Sequence, residues 1–143
     1  MKHQFHLAPR KQMSLARVLL ADDDPTSRLT LQTVLEAGGY NVDSAASAAE
    51  AMHKLDSQEY ALVLSDRDME VPDAGLRLLA HAKTMDYRPA TAIVQSESDT
   101  ESAGDRKPVL VAPEDIPELL GKVADLISER VSRQMRREMR IAG

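Results

Sequence analysis

Ala61-Leu62-Val63-Leu64, followed by Ser65-Asp66, constrains this 143-residue chain more than any other stretch. Four consecutive apolar residues of this kind read as a strand buried on both faces, the mark of a parallel sheet covered by helices on either side. The acid lies where the strand leaves the sheet. A second apolar run, Arg17-Val18-Leu19-Leu20-Ala21, ends in Asp22, Asp23 and Asp24. In a parallel sheet the carboxyl ends of neighbouring strands open on one crevice, and open α/β folds bind their ligands there. The pattern predicts that carboxylates from two strands meet in one pocket.

The remaining elements follow from local signals. Pro25 predicts a helix with Asp24 as its N-cap, Leu31, Val34 and Leu35 on its inner face and Gly38-Gly39 as its stop. With Asp24 committed to the cap, Asp22 and Asp23 are left free. Asn41 to Ala45 is a weakly apolar strand suited to the sheet edge. Ser47-Ala48-Ala49-Glu50 is a capping box that opens a helix through Asp56. Tyr60 to Ser65 is the central strand, and Leu76, Leu78, Leu79 and Ala82 mark the next helix. Ala90 to Gln95 and Pro108 to Ala112 are the fourth and fifth strands.

Between those two strands, Ser96 to Lys107 is rich in Ser, Asp and Glu and lacks an apolar stripe. It has room for about two helical turns at most, short for a parallel crossover. The last helix starts near Glu114 to Pro117 and docks Leu119, Leu120, Val123 and Ile127. Its pattern then continues as Val131, Met135 and Met139 among Arg and Glu. Strands alternating with helices in this order predict a five-stranded parallel sheet with helices on both faces.

Composition removes several function classes. The chain has no Cys, so neither disulfides nor a thiolate metal site exists. No apolar stretch approaches the ~18 residues of a membrane span, and a cytoplasmic protein without membrane partners is expected. Charge is segregated. Residues 1–17 carry Lys2, Arg10, Lys11 and Arg17 with no acid, and beyond Ser128 five Arg outnumber Glu129 and Glu138. The division is a flexible basic leader (1–16), an acidic domain (17–127) and a basic C-terminal helical extension (128–143). An acidic domain with few aromatics disfavours nucleic acid as a partner.

Val-Leu-Leu-Ala-Asp-Asp-Asp-Pro at 18–25 and Leu-Val-Leu-Ser-Asp-Arg-Asp-Met at 62–69, with Gly75-Leu76 and Ala112-Pro113, resemble the landmarks of a response-regulator receiver domain. This CheY-like module accepts phosphate in two-component signalling, and the resemblance spans roughly Arg17 to Ile127. It implies a flavodoxin-like, doubly wound sheet of order 2-1-3-4-5, here with a shortened or irregular fourth helix and an extended C-terminal helix. It implies that Asp66 is the phosphoacceptor, and that Asp22, Asp23 and Asp66 hold Mg²⁺ with the main-chain carbonyl of Asp68; since only that backbone need bind, the Asp68 side chain is expected to be idle. It places a phosphoryl-contacting hydroxyl at Ser96, with Ser98 or Gln95 as alternatives, and names a histidine kinase or phosphotransfer protein as partner.

The chain also departs from that pattern. The family's lysine position is Ala112, and Lys107 precedes the strand and so stands at its opposite end. The aromatic position of the fifth strand is Val109. The loop after Asp66 is one residue longer than usual, with Glu70 where Pro is expected.

The chemistry is coherent without the resemblance. Clustered carboxylates repel, so either a pKa rises or a cation enters. Mg²⁺ suits one or two carboxylates completed by water and phosphate, and an Asp can act as a nucleophile. The leading reading is a stand-alone receiver, not an enzyme, that is phosphorylated on Asp66 in a phosphorelay. The alternative is a degenerate receiver acting as a phosphorylation-independent dimerisation or protein-binding module, with a homodimer through the C-terminal helix. An Asp-nucleophile phosphatase, suggested by Asp66-Arg67-Asp68, is disfavoured by the lack of a cap domain and of a Lys after the fifth strand.

Overall fold

The computed structural model describes residues 16–95, 109–111 and 116–142. Strands β1 (Arg17–Ala21), β2 (Asn41–Ala45), β3 (Leu62–Ser65), β4 (Ala90–Gln95) and β5 (Val109–Val111) alternate with helices α1 (Pro25–Ala37), α2 (Ala48–Ser57) and α3 (Ala74–Ala82), and the chain ends in α4 (Ile116–Ala142). All pairings are parallel and the sheet order is β2-β1-β3-β4-β5, with the three residues of β5 at one edge. The crossover over 96–107, expected to be short or irregular, lies outside the described residues.

The two faces are read off the strand alternation. Leu19, Ala21, Val63 and Ile93 face α2 and α3, where they meet Ala51, Leu55, Leu78 and Ala82. Val18, Leu20, Leu62, Leu64 and Ala92 face the other way, toward Leu35 of α1 and Leu119 and Val123 of α4. Leu62, Val63 and Leu64 are each fully buried, an environment that stabilises by roughly 1.5–3 kcal/mol per side chain. This two-sided burial is why the central strand is continuously apolar.

Local chemistry sets the helix starts. Asp24 accepts the Ser27 N–H at 2.9 Å, and Pro25 opens α1. At the other end Gly39 takes φ 101°, a backbone turn that a side chain would strain. Ser47 Oγ accepts the Glu50 N–H at 3.1 Å, the first half of the expected capping box. The second half is shifted by one residue. Glu50 Oε1 takes the N–H of Ala46, not that of Ser47, at 2.9 Å.

Helix α4 continues without a break from the docked segment to Ala142. Past Ile127 it is held by polar contacts. Arg130 Nε donates to the Arg88 carbonyl at 2.9 Å, Arg130 Nη2 to the Tyr87 carbonyl at 2.8 Å, and Gln134 Nε2 to the same Tyr87 carbonyl at 3.5 Å. Among the described residues, no helix is long and apolar enough to cross a membrane.

Candidate functional site

The register of β1 against β3 builds the site. Val18 lies beside Leu62 and Ala21 beside Ser65, so the next residues, Asp22 and Asp66, leave the sheet together. Both stay tied to it. The Asp66 N–H donates to the Ala21 carbonyl at 3.0 Å and the Asp22 N–H to the Ala45 carbonyl at 3.0 Å. Asp22, Asp23 and Asp66 each offer a carboxylate oxygen, and the three oxygens lie within 4.8 Å of one another. Asp22 is buried, Asp66 half-buried and Asp23 exposed.

The electrostatics are those of a site short of positive charge. Burial first, then a hydrogen bond shared with Asp22, then the charges of Asp22, Asp23 and Asp24 push the Asp66 carboxyl up to about 8. The nearby Arg28 does not relieve this directly, because its Nη1 donates to the main-chain carbonyl of Asp22 at 2.8 Å. Oxygen donors on one rim, with no ion pair to these three acids among the described residues, fit a hard divalent cation.

Two expectations are corrected. Asp22 is not free: its Oδ1 accepts the Asp24 N–H at 2.9 Å, which fixes the carboxylate and the turn leading to the cap. Nor is the Asp68 side chain idle. Its Oδ1 accepts the Asp73 N–H in a 2.6 Å contact that closes the loop after β3. Asp73 needs that support, because it sits in the left-handed region at φ 61° just before α3. Ser96 and Ala112 lie outside the described residues.

Three residues were given no structural role by the sequence reading. Glu70 accepts the N–H groups of Ala48 and Ala49, at 2.9 and 3.1 Å, and so ties the loop after Asp66 to the start of α2. These backbone donors, Ala48 foremost, hold its carboxyl below the usual range. Gly75 is required for a different reason. A β-carbon there would collide with the Asp66 carbonyl, and its own N–H donates to the Arg67 carbonyl at 2.7 Å. Arg28 is the third, and its place one helical turn after Asp24 is the signal that could have found it.

Residues 18–107 match the family described as "Response regulator receiver domain". The chain belongs to that family. Receivers are the signalling modules of two-component systems, and their acidic pocket generally binds Mg²⁺. The receiver protein CpdR of Brucella abortus (strain 2308) is 29% identical over 119 residues, covering 79% of this chain and 98% of that protein. The sensor protein EvgS of Escherichia coli (strain K12) is 44% identical over 52 residues, which cover 36% of this chain and only 4% of that sensor's length. The solved response regulator TrrA of Thermotoga maritima, in complex with Mg²⁺-BeF, is similar at 27% identity and a TM-score of 0.60, over 78% of this chain and 99% of that one. A CheY-like receiver domain protein from Methanospirillum hungatei JF-1 is similar at 25% identity and a TM-score of 0.68, over 84% and 99% of the two chains. The α/β, flavodoxin-like architecture of this receiver is that of its relatives.

Proposed function

We propose that this receiver accepts a phosphoryl group on Asp66 from a histidine kinase or phosphotransfer protein in the cytoplasm, with Mg²⁺ held by Asp22, Asp23, Asp66 and the main-chain carbonyl of Asp68. The observation that carries the reading is the convergence of three carboxylate oxygens within 4.8 Å at the ends of two adjacent strands. A bound divalent ion supplies positive charge against the incoming phosphoryl oxygens and lowers the proton affinity of the acids around it. Asp66 attacks phosphorus through a carboxylate oxygen, the bond from phosphorus to the donor breaks, and an acyl phosphate remains. Asp22 stays anchored by the Asp24 N–H throughout. The Ser65 hydroxyl, which donates to the Asp66 carbonyl at 2.7 Å, keeps the main chain of the acceptor in place.

In this reading Ser96 stands for the hydroxyl that meets the phosphoryl group. Ala112 leaves the family's lysine position without a cation. Losing one charge-assisted contact of that kind costs about 1.5–3 kcal/mol, so the phosphorylated form is expected to be short-lived. The test is beryllium fluoride with Mg²⁺, followed by unfolding temperature, and acetyl phosphate with Mg²⁺, followed by intact mass. Stabilisation and adduct on the wild type and on neither count for Asp66→Asn support the reading. Adduct persisting on Asp66→Asn overturns the assignment.

A second reading, a phosphorylation-independent binding module, is favoured by one observation. Val131, Met135 and Met139 are exposed at 43, 57 and 70% on α4. Steps of four residues turn about 40° each around a helix, so this stripe winds, whereas a straight dimer seam would require Gln134 and Glu138. The geometry therefore suits a partner groove better than a two-stranded coiled coil. Sedimentation of the wild type against Met135→Glu discriminates: a concentration-dependent dimer lost in the variant restores the homodimer.

A further inference from the structure

The extension of α4 encloses a cleft that the proposed phosphoacceptor chemistry does not use. Lys83, Arg88, Pro89, Arg130, Arg133, Gln134 and Arg137 line a cavity of about 270 Å³ between α4 and the segment joining α3 to β4. Five of the seven lining residues are cations. Lys83 and Arg88 come from that segment, and Arg130, Arg133 and Arg137 from the helix. At 100° per residue, positions 130, 133 and 137 fall within about 60° of one another, so the three guanidiniums share one helix face by design of the spacing. The cleft opens near Ala90, at the amino end of β4, and the three acids lie beyond the carboxyl ends of β1 and β3. The two sites stand at opposite ends of the sheet.

The charge in the cleft is poorly compensated. Arg130 is satisfied by the carbonyls of Tyr87 and Arg88, which fix it in place and leave donors to spare. Among the described residues, Lys83, Arg88, Arg133 and Arg137 form no ion pair. The acids nearby pair with none of these four cations among the described residues. Glu59 acts on Arg130 and Tyr87 at a distance, Asp86 belongs to the joining segment, and Asp125 and Glu129 share neighbouring cavities with Arg133. Lys83, Arg88 and Arg133 are exposed, so solvent screens their mutual repulsion, but five cations around one cavity make a local positive potential that attracts an anion of several charges. At about 270 Å³ and open to solvent on one side, the cleft has room for the phosphate chain of a ligand whose remainder stays outside. Arg forks match phosphate oxygens in pairs.

We infer that this cleft is a binding site for a small oligophosphate, a molecule carrying two or more linked phosphoryl groups such as a nucleotide, held between Arg133 and Arg137 of α4 and Lys83 and Arg88 of the facing loop. Arg130 positions the helix over the loop. Occupancy would join the C-terminal extension to the domain and make it a ligand-sensing element independent of Asp66.

The test is isothermal titration of the full chain with inorganic tripolyphosphate and with ATP, without divalent cations and at low ionic strength. The expected result is saturable one-to-one binding of both probes. Arg133→Glu and Arg137→Glu should each weaken it about tenfold or more, the loss typical of one charged hydrogen-bonding partner. Lys54→Glu, which changes net charge equally but lies on α2, should leave it unchanged, and Asp66→Asn should bind as the wild type does. Should a charge reversal unfold the extension, seen as lost helical circular dichroism, Arg133→Gln and Lys83→Gln report the same contacts. The proposal is overturned by the absence of saturable binding, or by an equal loss in Lys54→Glu, which would mean diffuse attraction. Tighter binding of a DNA duplex than of ATP also overturns it, since the basic surface would then serve a polymer backbone.

Discussion

The main-chain carbonyl of Asp66 occupies the space that a β-carbon on Gly75 would need, so the segment leaving β3 and the first turn of α3 touch backbone to backbone. Gly75 is buried and its N–H is bound to the Arg67 carbonyl, which leaves the helix no room to retreat. Gly75→Ala is therefore expected to displace the loop that carries Asp68. Overpacking of this kind costs about 1–3 kcal/mol. Urea unfolding measures the loss, and a parallel fall in Mg²⁺ affinity would show that the displacement reaches the acids.

Glu70 does for α2 what Asp24 does for α1, but from another loop. Its two accepted N–H groups would be left without that partner in Glu70→Ala, at a cost of about 1 kcal/mol by analogy with lost N-caps. Its carboxyl is held below the usual range, so the contribution is present above pH 4.5 and is lost as the pH falls through the lowered value. A wild type and a Glu70→Ala variant whose stabilities converge in acid would bear this out. Hydrogen exchange at Ala48 and Ala49 should quicken in the variant.

The raised pKa of Asp66 gives the domain a stability that depends on pH and on cations. Without a divalent ion, the folded chain holds a proton on Asp66 up to about pH 8, and the unfolded chain releases it near the ordinary 3.8. The folded state thus binds more protons in that window, and stability falls as pH rises from about 4 to 8. Asp66→Asn removes the repulsion. Discounted for a half-exposed group, the variant should gain about 1–2 kcal/mol on the wild type across the window. Unfolding curves in chelator at several pH values check this, and parallel slopes for the two proteins would refute it.

Mg²⁺ should reverse that penalty. An ion that binds only the folded state at a hundred times its dissociation constant stabilises by about 2.7 kcal/mol, or roughly 10 °C for a domain of this size. Asp22→Asn and Asp23→Asn should each reduce the shift, Asp22→Asn more, because Asp22 is the buried member of the cluster. A thermal midpoint indifferent to Mg²⁺ in the wild type would remove the metal from the site.

How much of this could be read in the sequence depended on how far each interaction reaches along the chain. Asp24 with Pro25 is a local cap and needs no tertiary knowledge. The meeting of Asp22 with Asp66 was legible across 44 residues, because two buried strands in a parallel sheet leave only one end for their acids to share. Glu70 was not legible. It reaches donors 21 and 22 residues away through loop geometry that no periodicity encodes. Asp22 and Asp68 were misjudged for a related reason: a loop carboxylate can accept from the backbone of its own turn whatever else the residue does, and the sequence shows only the residue type.

Arg130 poses the same problem at longer range and supports the last prediction. In the sequence it is one of several Arg in a basic tail. In the fold its guanidinium reaches carbonyls 42 and 43 residues away, and burial lowers its pKa from the ordinary arginine value. A helix end that projects past its apolar docking residues should fray, since isolated helical turns are marginal in water. The two Arg130 contacts, with the longer one from Gln134 to the same Tyr87 carbonyl, oppose fraying between Ile127 and Gln134. Arg130→Met keeps the length and the helix propensity but removes both, at a cost of about 1.5–3 kcal/mol for a charged donor set. The expected outcome is faster hydrogen exchange over residues 128–142, with β1 to β4 exchanging as in the wild type. Protection unchanged along the extension would mean that packing at Leu126 and Ile127, with the Gln134 contact, holds it without Arg130.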